Sequence, residues 1–168
     1  MMRDFLQKRK ERFFILLALV FAILYFFNQP LAFRMGDEST LYIRVHEFED
    51  HRIITERFYE FPADSETFAQ IVAVLDEYRY FRTPGSIADW WNEFTSRDGV
   101  IVTTRQSPAS GYALSITFLP PLSLEERLHF ESFGMGEVWV NHRRHRMPVE
   151  NDLSMQAAIL AILDEAGS

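Results

Sequence analysis

Two histidines, His142 and His145, stand three apart among Arg143, Arg144 and Arg146 in the stretch VNHRRHRMP, residues 140–148. On a helix this spacing would set two imidazoles on one face, the beginning of a zinc site. Pro148 and the preceding apolar run instead mark a strand end, a polar turn and a return strand. Zinc also needs at least a third ligand. His46, His51 and His129 exist elsewhere, but no spacing brings them together, so no metal ligand is assigned. The arginines suit a different chemistry, because planar guanidinium forks grip carboxylate and phosphate oxygens two at a time. The five residues His142, Arg143, Arg144, His145 and Arg146 therefore form the candidate patch for an anionic partner. The plainer reading is local salt bridging to Glu137, Glu150 and Asp152.

A second candidate is the aromatic pair Trp90 and Trp91 in SIADWWNEF. Indole rings stack on sugars or enter the bilayer interface, but at this helical spacing they also close a core with one ring left partly exposed. The adjacent carboxylates Asp76–Glu77 and Glu125–Glu126 diverge on either a helix or a strand, which makes them solvated faces rather than acid/base dyads. There is no G-x-S-x-G elbow, S-x-x-K or H-E-x-x-H pattern. Seven glycines scattered at turns build no cofactor cradle, and zero cysteines exclude disulfides, thiolate nucleophiles and cysteine-ligated metals. No catalytic residue, cofactor or metal is expected.

Charge is partitioned along the chain. Residues 1–12 hold five basic and two acidic side chains, +3, whereas residues 34–168 hold 12 basic and 22 acidic ones, −10. Both lysines lie in the first segment. An acidic body argues against nucleic acid as a partner, since phosphates demand a cationic surplus.

Between these regions runs FFILLALVFAILYFF, Phe13–Phe27, polar only at the Tyr25 hydroxyl. Fifteen residues span about 22 Å of helix, short of the ~30 Å hydrocarbon core. The uncharged NQPLAF that follows adds interfacial length before Arg34. Basic residues before the run and Asp37 and Glu38 after it place the N-terminus in the cytoplasm and the body outside. A cleaved signal peptide is the competing reading, though bulky LYFFNQP offers poor small-residue positions for cleavage. A buried soluble helix would seldom lack a polar face over such a length. A pseudopilin would need a glycine cleavage point and an early helical glutamate, and this chain has neither. The expected organisation is a cytoplasmic tail at 1–12, a transmembrane signal-anchor at 13–33, a linker at 34–40 and an extracytoplasmic domain at 41–168.

Within that domain LYIRVHEF (41–48) and RIITERFYEF (52–61) alternate as the arms of a hairpin. After Pro62, Asp64 or Ser65 caps a helix carrying Phe68, Ile71, Val72 and Leu75 on one stripe. Arg79 and Arg82 are expected at its C-terminal end, with Pro84-Gly85 as the stop. A short helix around SIADWWNEF follows, with Ser86 and Asp89 as a capping-box variant, then strands at 100–105 and 112–119. LSLEERLHFES fits strand or helix, with strand preferred, and EVWV (137–140) is a strand. A last helix begins near Asn151. This order implies an α+β fold: one N-terminal transmembrane helix, then a mostly antiparallel sheet with helices packed on one face.

The strand pair, the helix ending in YRYF (78–81), the strand after DG (98–99), YALSITF (112–118) and VWVN (138–141) with its return strand resemble small membrane-anchored extracytoplasmic domains of Gram-positive bacteria, of unknown function. Their closing hairpin has an aromatic where this chain has His145. The resemblance implies an α+β fold and a tether, and no catalytic residue. Together these readings lead to the expectation of a non-enzymatic binding or accessory module of the bacterial cell envelope, held in the cell membrane. Its partner would be a protein or an anionic envelope component. The alternatives are a metal-dependent envelope hydrolase using His142 and His145, and a cleaved, secreted form of the same domain.

Overall fold

The computed structural model describes residues 2–26, 29–30, 39–95, 108–119, 128–141 and 143–167. Alternation of apolar and polar residues dictates its largest element. Strands β2 (Thr40–Glu49) and β3 (Arg52–Pro62) form the expected hairpin, turned at Asp50 and His51, both with positive φ. Leu41, Ile43 and Val45 point into the core, and Tyr42, Arg44 and His46 to the other face. Strands β5 (Ser110–Leu119), β6 (Leu128–Ser132), β7 (Glu137–Val140) and β8 (Arg143–Arg146) form a meander. With β1 (Gln29–Pro30) and β4 (Arg79–Arg82) they complete an antiparallel sheet ordered β1-β4-β8-β7-β6-β5-β2-β3.

One face of this sheet is covered by α2 (Glu66–Glu77) and α4 (Val149–Ala166), which lie against each other. Phe68, Ile71 and Leu75 of α2 and Met155, Ile159 and Leu163 of α4 are buried among Leu114, Ile116, Phe118 and Phe130 from the sheet. Each such side chain contributes about 1.5–3 kcal/mol by leaving water. Ser65 caps α2 as expected, its hydroxyl accepting from the Phe68 N–H at 3.1 Å. The mixed α+β architecture is thus the expected one.

Three boundaries differ from the sequence reading. Helix α2 stops at Glu77, and Arg79–Arg82, expected as its basic last turn, is strand β4 paired with β8. Tyr80 on this strand is buried while Phe81 points outward, the alternation of a strand rather than a helical stripe. Pro84 does not end a helix but opens α3 (Pro84–Thr95), because its fixed φ and missing N–H suit a first helical position. The N-terminal helix α1 (Met2–Phe26) ends before Phe33, and Gln29–Pro30 already pair with Tyr80 and Arg79. The segment 13–33 is therefore not one continuous helix. Among the described residues no helix is long and apolar enough to cross a membrane. The strand expected at 100–105 and residues Glu125 and Glu126 lie outside the described residues, and of LSLEERLHFES the part from Leu128 is strand.

Candidate anion-binding site

Strand β8 carries the basic stretch, and its register decides what those residues can do together. Val138 faces His145 and Val140 faces Arg143, while Trp139 faces Arg144 and Glu137 faces Arg146. Val138 is fully buried in the core, so His145 and Arg143 share the helix-covered face. Arg144 and Arg146 lie on the opposite one. The sequence reading grouped all of them as one exposed patch. The two-residue period of a strand splits it instead, and His142 lies outside the described residues.

On the helix-covered face Arg143 and His145 meet Tyr80 and Arg82 of β4. The His145 ring is 4% exposed and meets Tyr80 edge-on, with centroids 4.4 Å apart. Its Nδ1 lies 2.8 Å from the Arg143 carbonyl oxygen. A carbonyl only accepts, so Nδ1 carries the proton and donates it. Burial pushes the Tyr80 phenol above its ordinary value, and the nearby Arg82 charge opposes this. Among the described residues no group of three His, Asp or Glu is placed to hold a metal.

Ser86, 1% exposed, fastens α3 to this strand. Its hydroxyl donates to the Arg144 carbonyl oxygen. It also accepts from the Thr83 N–H at 3.0 Å, while Thr83 Oγ1 accepts from the Ser86 N–H at 3.3 Å. This is a reciprocal cap on the first turn of α3. The capping box expected on Ser86 and Asp89 is thus formed one turn earlier, by Thr83 and Ser86, and β4 was not read from the sequence.

Above β4 and β8 lies a cleft of about 750 Å³, whose polar lining is Tyr80, Arg82, Ser86, Asn141, Arg143 and His145. Its apolar lining comes from Ile87 and Val140 together with Phe21, Ala22 and Phe26 of α1. Two guanidinium groups stand among these described lining residues, the donor chemistry that pairs with carboxylate or phosphate oxygens. Other hollows differ in charge. One of about 360 Å³ sets Arg144 and Arg146 beside Glu137. Another, about 610 Å³ on the face opposite α2 and α4, sets Arg44 among Glu60 and Glu131. Arg144 also lies 5.6 Å over the Trp139 ring and Arg44 4.7 Å over Phe58. Trp91 is exposed on α3, and the side chain of Trp90 is not among those described.

Asp152, read from the sequence as a counter-charge to the arginines, is fully buried elsewhere. It accepts from the Ser132 hydroxyl and, at 2.9 Å, from the Gly136 N–H. Gln156 Nε2 donates to Ser132 Oγ at 2.8 Å. The hydroxyl is engaged as both donor and acceptor, and no imidazole joins it. The cluster therefore pins the β6–β7 turn to the start of α4 rather than activating a nucleophile.

Comparison with known proteins finds no matching family model, no matching curated protein and no matching solved structure.

Proposed function

We propose that this chain is a single-pass membrane protein with a cytoplasmic N-terminus. Its extracytoplasmic α+β domain is a non-enzymatic binding module that receives an anionic group of an envelope component, or of a protein partner, in the cleft above β8. The observation that carries this reading is that one cleft joins the apolar end of α1 to two arginine-bearing strands, β4 through Arg82 and β8 through Arg143. Two further features support it. Helix α1 leaves Phe13, Phe14, Ile15, Leu16 and Phe21 each more than 60% exposed, a stretch costly to leave in water and suited to lipid. Its apolar part is short, about 21 Å from Phe13 to Phe26, but the long stem of Arg12 can snorkel and the bilayer can thin. The His145 Nδ1 and Ser86 hydroxyl donate to backbone carbonyls, which suits a scaffold that positions the arginines rather than one that transfers protons.

Fusing alkaline phosphatase after Ser168 in a bacterial host tests the topology. The account expects an active reporter and a fusion retained in the membrane pellet after alkaline carbonate washing. An expressed but inactive fusion, or release into the carbonate supernatant, would contradict it.

A further inference from the structure

The lining of the cleft above β8 is divided by chemistry, and the division matches one class of ligand. Arg82 and Arg143 reach it from neighbouring strands, and Ser86, Tyr80 and Asn141 add polar groups beside them. The facing wall is Phe21, Ala22 and Phe26, which at 100° per residue fall within one arc of α1. Other apolar side chains of that helix are exposed, from Phe13 through Leu17 and at Leu19, Val20 and Ile23. A ligand in this cleft would therefore meet cations on one side and, on the other, an apolar surface continuous with the one a bilayer would cover.

We propose that the cleft binds the phosphodiester headgroup of an anionic phospholipid taken from the bilayer that α1 enters. This rests on the membrane reading above and names the ligand of that same site. Guanidinium groups pair with phosphate oxygens through parallel charge-assisted hydrogen bonds. The volume of about 750 Å³ falls in the usual range of small-molecule pockets, roughly 300–1,000 Å³. It holds a headgroup and glycerol unit while the acyl chains lie along Phe21 and Phe26. The body of the domain carries a net −10, from 12 basic and 22 acidic residues over 34–168. Anionic lipid is repelled elsewhere on it, so the cleft also sets the orientation of the domain on the membrane.

The test uses the full chain in non-ionic detergent micelles. It is titrated calorimetrically with dihexanoyl phosphatidylglycerol, dihexanoyl phosphatidylcholine and inorganic phosphate. The glycerol lipid should bind at least about tenfold more tightly than either of the others, a difference of about 1.4 kcal/mol. R82Q and R143Q should each weaken it about tenfold, R143K should recover part of the loss, and R146Q, on the opposite face, should leave it unchanged. Equal binding of the two lipids would overturn the proposal, as would undiminished binding by a folded R82Q. Inorganic phosphate binding as tightly as the lipid would overturn it in favour of a free-anion site. Should R143Q melt early, the half-buried Arg82 still decides the matter. The titration reads lipid preference without regard to topology, and the phosphatase fusion reads topology without regard to lipid, so each reading can fail alone.

Discussion

Asp152→Ala removes the acceptor that joins α4 to the β6–β7 turn, and the structure sets the size of the effect. The Ser132 hydroxyl and the Gly136 N–H lose their partner in a site where Asp152 is 0% exposed. A buried donor left unsatisfied costs about 1–3 kcal/mol. Counting only the Ser132 hydroxyl and the Gly136 N–H gives about 2–6 kcal/mol, and relief from holding a carboxylate in the core lowers this to about 2–4 kcal/mol. For a chain of this length that is a drop in Tm of roughly 5–15 °C, measurable by circular dichroism. The pH dependence sharpens the test. Burial raises the Asp152 carboxyl above its ordinary value, and hydrogen bonds from Ser132 and from the backbone of Gly136, Gly134 and Met135 pull it partly back. A carboxyl whose folded value is raised contributes stability that is fully present below the unfolded value and is lost as pH rises through the folded one. The stability advantage of the native chain over Asp152→Asn, which does not ionise, should therefore shrink as pH rises from the unfolded Asp value of 3.8 toward neutrality. An advantage that grows over that interval would mean the hydrogen bonds outweigh burial, refuting the reasoning.

Other substitutions probe the supports of the cleft and the turns. Ser86→Ala should cost about 1–3 kcal/mol in urea unfolding, since it removes the side-chain acceptor of the Thr83 N–H, one arm of the α3 cap, and the bond to the Arg144 carbonyl. Its effect on lipid affinity should exceed that of Ser65→Ala, which removes only the cap of α2. Gly136→Ala should be more damaging than Gly111→Ala. Both have positive φ, but a methyl at Gly136 would sit 2.8 Å from the Met147 carbonyl oxygen, whereas nothing lies within 4 Å at Gly111. About 1 kcal/mol is expected for Gly111→Ala and distinctly more for Gly136→Ala, and comparable Tm values would contradict the steric argument.

What the sequence made legible follows from the strength of its patterns. The β2–β3 hairpin could be read because Leu41, Ile43 and Val45 alternate with polar neighbours, and α2 because Phe68, Ile71 and Leu75 recur on one stripe. Strand β4 was missed because its four residues follow a helix with no turn residue between and offer only Tyr80 as an apolar anchor. The basic stretch was located, but its division was not. In HRRHR every residue is polar, so no apolar alternation marks which face each side chain takes, and only pairing with Val138 and Val140 decides it. Arg82 joined the site beside Arg143 and His145, 61 and 63 positions away in sequence, which no local spacing encodes. Asp152 looked like any acidic residue in a first helical turn. Its burial depends on Ser132 and a glycine-rich turn brought to it by the meander.

The central claim is that α1 enters the bilayer up to the cleft and that the cleft lies at the outer interface. Spin labels placed one at a time from Phe13 to Phe26, with two more at Arg82 and Arg146, measure this directly by power-saturation spectroscopy of the chain in liposomes. The account predicts that oxygen reaches the helix labels on every face and is most accessible near Leu19. A water-soluble nickel chelate should reach the Arg146 label freely and the Arg82 label weakly. Nickel access along Phe13–Phe21, or oxygen access confined to one helical face, would contradict it.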